Sequence, residues 1–167
     1  PASKDSVRGA GISWKGCRIG FDLGASDFKI AAVQEGKVTF SDEFPWDPRN
    51  AADPQYHVDK LNEGLRAAAA HLPRVDAIGG STAGIVVDNQ IRVASLLRAV
   101  PADRYAEAQS MFRTIEKQWN VPVKVENDGD VTALAAFVTG GTKAVLGVAM
   151  GSSQAGGYLD RSGHITG

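Results

Sequence analysis

Residues 18–44 read RIGFDLGASDFKIAAVQEGKVTFSDEF, three short apolar runs separated by turns. Arg18–Leu23 predicts a buried strand that ends at Gly24, Phe28–Gln34 a second strand and Val38–Phe44 a third. Glu35, Gly36 and Lys37 join the last two as a tight hairpin, with glycine supplying the left-handed backbone such turns need. Three antiparallel strands therefore come first. A doubly wound dinucleotide-binding order is excluded, because there parallel strands alternate with helices from the start.

Downstream the pattern changes period. Pro45, Pro48 and Pro54 punctuate a loop. Asp53 followed by Pro54 predicts a helix start, with Asp as N-cap and Pro at the first helical position. Val58, Leu61, Leu65, Ala68 and Leu72 then recur at helical spacing until Pro73. Val75–Ser81 reads as a buried strand, and Ile85–Val87 with Ile91–Val93 as a small hairpin around Asp88, Asn89 and Gln90. One helix is expected after Pro101, with Tyr105, Ala108, Phe112, Ile115 and Trp119 on its buried stripe. Val121–Val125 is the next strand. A helix carrying Val131, Leu134, Ala135 and Val138 follows, closed by Gly140 and Gly141. Lys143–Met150 and Gly157–Asp160 are strands about a glycine-serine turn at 151–156. The order is β-β-β-α-β-α-β-α and then a new hairpin. It predicts an α/β fold with a mixed five-stranded sheet, helices on both of its faces, and the first hairpin of a second, similar domain.

Composition bounds the partners. The 167 residues carry 18 basic and 19 acidic side chains, a net charge of −1. That excludes a strong nucleic-acid footprint, which needs a basic face. No apolar run approaches the roughly 20 residues that cross a bilayer, so no membrane partner is expected. The single cysteine, Cys17, excludes an intrachain disulfide framework and a multi-thiolate zinc cluster, and reads as packed rather than reactive. His57, His71 and His164 do not cluster. Residues 1–17 read as a flexible tail without the apolar core of a signal peptide, and a cytoplasmic location is expected. The 19 glycines fall in clusters beside apolar strands. The chain stops soon after a strand pattern, which suggests a piece of something longer.

Four clusters carry possible chemistry. In Asp22–Lys29 a carboxylate ends one strand, a small turn follows and a lysine opens the next. Backbone amides in such a turn can cradle phosphate, and the carboxylate can hold a hydrated magnesium ion. An ordinary hairpin with a charged rim explains the same residues equally well. Gly147–Gly157 is a second strand-turn-strand rich in small residues, and by itself it reads as a flexible glycine turn. Glu126, Asn127, Asp128 and Gly129 stand at a strand end and helix start. There Asp128 is either an N-cap or a general base that takes a proton from an attacking hydroxyl, with Asn127 holding a second hydroxyl. Gly79–Val86 runs from a buried strand into a small-residue turn, either for packing or for close approach of a polar ligand.

In this order, these clusters resemble the N-terminal half of the ROK family, sugar kinases and related repressors with a ribonuclease H-like, actin-like ATPase fold. Asp22, Gly24, Ser26 and Lys29 resemble the family's first phosphate loop, Asp-x-Gly-x-Thr-x-x-Lys. Ser81, Thr82 and Gly84 resemble its Ser-Thr-Pro-Gly-x-Val turn beside the sugar. Glu126–Gly129 resembles its Glu-Asn-Asp-Ala motif, and Ala149–Gly157 its second, glycine-rich phosphate loop. The resemblance runs from about Arg18 to the end of the chain. It implies ATP-dependent phosphorylation of a hexose hydroxyl with Asp128 as general base. It places nucleotide and magnesium at Asp22, Gly24, Ser26, Lys29, Gly151 and Ser152, with the metal on Asp22. It places sugar at Ser81, Thr82, Gly84, Asn127 and Asp128, and allows a homodimer. The implied domains are 18–141 and the start of a second at 142–167, so the chain by itself is expected to be inactive. Ala149 replaces the second loop's Thr, and Ser153 and Ala155 replace glycines. These departures support the alternative of a non-catalytic sugar-binding or regulatory protein. A purely structural domain with glycine turns is the third reading.

Overall fold

β1 (Cys17–Leu23) buries Cys17, Ile19, Phe21 and Leu23 and turns Arg18, Gly20 and Asp22 to its other side. The same alternation in β2 (Asp27–Gln34) buries Phe28, Ile30 and Ala32. This period of two fixes which face meets the core and hence the register. β3 (Lys37–Pro45) completes the meander, and Glu35 and Gly36 between β2 and β3 both have positive φ. These elements come from a computed structural model that describes residues 15–140, 144–150 and 154–166. Gly151 and Ser152, and the tail up to residue 14, lie outside the described residues. The chain divides into two compact units between Glu126 and Asn127.

In the first unit five strands form one sheet in the order β3-β2-β1-β4-β7, where β4 is Ala77–Thr82 and β7 is Val123–Asn127. β1 is antiparallel to β2 and parallel to β4, as the meander followed by a helical crossover requires. α1 (Pro54–Ala69) makes that crossover. Its N-cap is Asp53, which accepts from the Gln55 amide at 3.1 Å. Its buried face is Val58, Leu61, Leu65 and Ala68, with Gly64 where it crosses β2. A Cβ at Gly64 would stand 2.6 Å from the Phe28 ring, so glycine sets the depth of this contact. The helix ends at Ala69, before Leu72, as the amides of Ala70, His71 and Leu72 bond back into a closing turn.

The hairpin β5 (Ile85–Val87) and β6 (Gln90–Val93) turns on Asp88 and Asn89, both at positive φ. A short 3-10 turn at Ser95–Leu97, which the sequence pattern does not reveal, buries Leu96 and Leu97. The single helix expected after Pro101 is two: α2 (Tyr105–Gln109) and α3 (Met111–Trp119). Ser110 stands at the break, its hydroxyl donating to the Ala106 carbonyl at 3.0 Å. Serine competes with helical hydrogen bonding in this way. β7 begins at Val123 rather than Val121, because Pro122 has no N–H to donate; its carbonyl accepts from the Ile78 amide.

The core lies between the sheet and the helices. Phe21 stacks on Phe112 of α3 at 6.0 Å, and Phe28 stacks on Phe44 at 5.3 Å. Phe21 pairs in register with Ile30, which lies beside Gly64 of α1, so α1 and α3 cover the same face. Within this unit the opposite face carries Arg18, Gly20 and Asp22 and is not covered by α1 or α3.

The second unit contains α4 (Asp128–Gly140) and a three-stranded sheet, β10-β9-β8. β8 is Val145–Met150, β9 is Gln154–Leu159 and β10 is Ile165–Thr166. A third strand thus joins the hairpin foreseen from sequence. The expected boundary at 141/142 and the compact division at 126/127 differ by one helix. Three glycines draw α4 onto β8 and β9. A Cβ at Gly129, Gly147 or Gly157 would lie 2.4, 2.3 and 2.3 Å from backbone atoms of Gly156, Ala133 and Asp130.

Candidate functional site

The register of the first sheet gathers polar residues in one row across four strands. Glu43 of β3 pairs with Lys29 of β2, Lys29 with Asp22 of β1, and Asp22 with Ser81 of β4. The row lies on the face away from α1, near the ends of the parallel strands β1 and β4. Open α/β sheets bind ligands at such strand ends.

Within the row, Lys29 lies 3.4 Å from Asp27 Oδ1 and 3.8 Å from Glu43 Oε2. The charges of Glu43 and then Asp27 raise its pKa above the ordinary lysine value, so it stays cationic. Asp22 is exposed, and its Oδ1 accepts from the Ser81 hydroxyl at 2.5 Å. Ser81 itself is only 6% exposed.

The turn between β1 and β2 is tied from below. Trp46 Nε1 donates to the Gly24 carbonyl at 3.0 Å, and the Trp46 amide donates to the Ser26 carbonyl at 3.1 Å. Trp46 is 5% exposed and packs edge-on against Phe28 at 5.5 Å and His57 at 6.1 Å. His57 is held in turn with Nε2 3.2 Å from the carbonyls of Pro48 and Leu96. Two carbonyl dipoles that would repel an anion are thereby engaged by the core. Ser26 Oγ donates to Asp27 Oδ2 at 3.0 Å. A Cβ at Gly24 would stand 2.7 Å from the Asp27 carbonyl, so the turn needs glycine there. Sequence reading places Trp46 in a proline-punctuated loop. Nothing in its spacing announces a partner 22 residues upstream.

At the end of β4, Thr82 is fully buried beside Leu23, with its hydroxyl toward the Ala83 carbonyl at 3.4 Å. Gly84 has φ +107°, and a Cβ there would meet the Val93 carbonyl at 2.2 Å, so only glycine fits. Gly80 is glycine for packing: a Cβ would strike the Phe21 ring at 2.2 Å.

The second unit opens on the third cluster. Asn127 Oδ1 accepts from the Gly129 amide at 2.9 Å. The N-cap role that sequence allowed for Asp128 is therefore performed by Asn127, one residue earlier. Asp128 is the first residue of α4 and is half-buried. A helix N-terminus favours the ionised carboxylate. In the glycine-rich Gly147–Gly157 cluster, Gly147 and Gly157 serve the contact with α4, which explains part of the glycine excess by packing.

Among the described residues no three His, Cys, Asp or Glu side chains gather as a metal cluster. Magnesium retains most of its water and is usually bound through one or two carboxylates plus substrate phosphate. A single carboxylate at Asp22 beside an amide turn fits a cation that arrives with a nucleotide better than a resident ion. Among the described residues no helix is long and apolar enough to cross a membrane.

No family model and no curated protein matches the chain. Solved structures do. The inorganic polyphosphate/ATP-glucomannokinase from Arthrobacter sp. strain KM is similar with a TM-score of 0.70 at 19% identity, over 90% of this chain and 60% of that one. The ROK hexokinase from Thermus thermophilus gives 0.68 at 19% identity, over 90% and 48%. A ROK family transcriptional regulator, a homologue of the E. coli MLC protein, gives 0.70 at 18% identity, over 90% and 38%. The chain thus spans less than two thirds of the length of each. Strand order, register and these likenesses agree: the chain has the fold of the ROK sugar kinases and repressors, an α/β fold of the actin-like ATPase type.

Proposed function

We propose that the chain is the N-terminal part of an ATP-dependent hexose kinase, with Asp128 as the general base. The observation that carries this reading is the Glu43–Lys29–Asp22–Ser81 row beside a turn whose carbonyls are engaged by Trp46. The turn from Asp22 to Lys29 would receive nucleotide phosphates through Gly24 and Ser26, with Lys29 as the nearby cation. Asp22 would hold hydrated magnesium, whose contribution is to neutralise phosphate charge. Gly151 and Ser152 would meet the nucleotide from the second loop. Sugar would be received by the Ser81–Gly84 turn and by Asn127 and Asp128. Ser81 keeps acceptor capacity after donating to Asp22, since a hydroxyl has two lone pairs. Asp128 would take the proton of the attacking sugar hydroxyl. The remaining work is positioning and charge neutralisation. One neighbour is named an inorganic polyphosphate/ATP-glucomannokinase and another a hexokinase, and those names are the basis for naming these substrate classes here.

A second reading has a specific observation behind it. Ala149 stands where the resemblance expects a threonine hydroxyl, and one neighbour is a transcriptional regulator. On that reading the protein binds sugar and transfers nothing. Calorimetric titration with magnesium-ATP and a panel of hexoses, with a coupled ADP assay, separates the two. Binding of both ligands with hexose-dependent ADP formation by the complete protein supports the kinase. Sugar binding without nucleotide binding supports the regulator. We further place the protein in the cytoplasm, with small-molecule ligands and a homodimer as its partners, and without a nucleic-acid or membrane partner.

A further inference from the structure

We infer that Ser81 is a positioning residue that fixes the Asp22 carboxylate for a hydrated cation, an inference that rests on the nucleotide reading of the first loop. An exposed Asp at a strand end samples several χ1 wells. Here its in-register neighbour on β4 donates a hydroxyl to Oδ1 at 2.5 Å, from a side chain only 6% exposed. That donor sits on the sheet ladder and cannot follow a wandering carboxylate.

The chemistry of the donor matters. Lys29 is the other in-register neighbour of Asp22, yet it is drawn to Asp27 and Glu43. Had it paired with Asp22, the carboxylate's charge would be offset and its attraction for a cation reduced. A neutral hydroxyl orients the group and leaves its charge whole. One oxygen is occupied and a second remains to take a hydrated cation. Magnesium demands near-ideal octahedral geometry and so rewards a fixed ligand. Asp27 and Glu43 thus have a role at one remove: they keep the lysine off the ligand carboxylate.

The test uses the complete protein and its serine variants. Three-bond NMR couplings read the Asp22 χ1 angle, and broadening of the Asp22–Lys29 amides by Mn2+-ATP reads cation-nucleotide affinity. The wild type should show one Asp22 rotamer and S81A an averaged one. The Mn2+-ATP concentration for half-broadening should rise about ten-fold in S81A, as for removal of a partner that orients a metal ligand. S81T should resemble the wild type and S81V should resemble S81A. That isosteric pair decides the matter if S81A fails to fold. A single Asp22 rotamer or unchanged half-broadening in S81V or S81A overturns the inference. Absence of Mn2+-ATP broadening in the wild type instead overturns the nucleotide reading. The couplings then still decide whether Ser81 positions Asp22.

Discussion

Asp76 shows how single carboxylates hold this fold at its margin. Its Oδ2 accepts from the Cys17 amide at 2.8 Å and its Oδ1 pairs with Arg74 at 2.6 Å. The Arg74 hydrogen bond first, and then the Cys17 amide, hold its pKa below the ordinary carboxylate value. A depressed folded pKa contributes stability above the unfolded value of about 3.9, and that contribution is lost as pH falls through the lower folded value. Asp76→Asn should therefore be less stable than wild type at neutral pH, and the gap should close as pH drops below about 4. Urea unfolding across pH 2–7 measures this; a gap independent of pH would show that the charge is not involved. At the same scale the sequence singled out Asp22–Lys29 as a candidate loop, and the register pairs Asp22 with Lys29. It could not show that Asn127 caps α4, because Asn and Asp are interchangeable at that position by propensity. Trp46 was illegible for another reason: its two hydrogen bonds are made by tertiary folding and leave no period in the chain.

Strands and helices were read well where burial imposes a period and poorly where a polar side chain breaks one. The β1–β2–β3 meander follows from alternation and the short turns, and the parallel β1–β4 pair from the α1 crossover between them. The split between α2 and α3 follows from Ser110, and the shift of β7 from Pro122. One polar side chain also finishes the sheet. Asn89 is buried at the turn of the β5–β6 hairpin, donating to the Val123 carbonyl at 2.6 Å and accepting from the Val125 amide at 3.0 Å. It acts as a one-residue substitute for a strand beside β7. Asn89→Ala should cost about 1–3 kcal/mol, the penalty for buried backbone groups left without partners, measured by chemical denaturation. Asn89→Gly relieves the φ of +57° but not the lost bonds, and should be destabilised as well. A Gly variant as stable as wild type would show that backbone conformation, not bonding, selects Asn. In the second unit, Gly157→Ala forces a Cβ to within 2.3 Å of the Asp130 amide and should cost about 1–3 kcal/mol or more by overpacking. Gly156→Ala, with its nearest neighbour 3.9 Å away, should be tolerated. Equal effects at the two positions would contradict the close-packing account of α4 on β8 and β9.

At the scale of the molecule, fold and chemistry separate cleanly. The sheet order, the register and the likeness to ROK-type structures establish the architecture, while the proposal of substrate and catalysis rests on a few side chains. Fold alone does not carry function, and the ROK neighbours themselves include both kinases and a regulator. Phosphoryl transfer needs nucleotide and sugar held together, so the 167-residue chain is expected to turn over no hexose by itself. The most direct test is hexose-dependent ADP formation by the complete protein, comparing wild type with Asp128→Asn. The account predicts a fall in kcat of about two to four powers of ten, the usual worth of a general base, with magnesium-ATP affinity unchanged. Normal turnover by the Asn variant would contradict it.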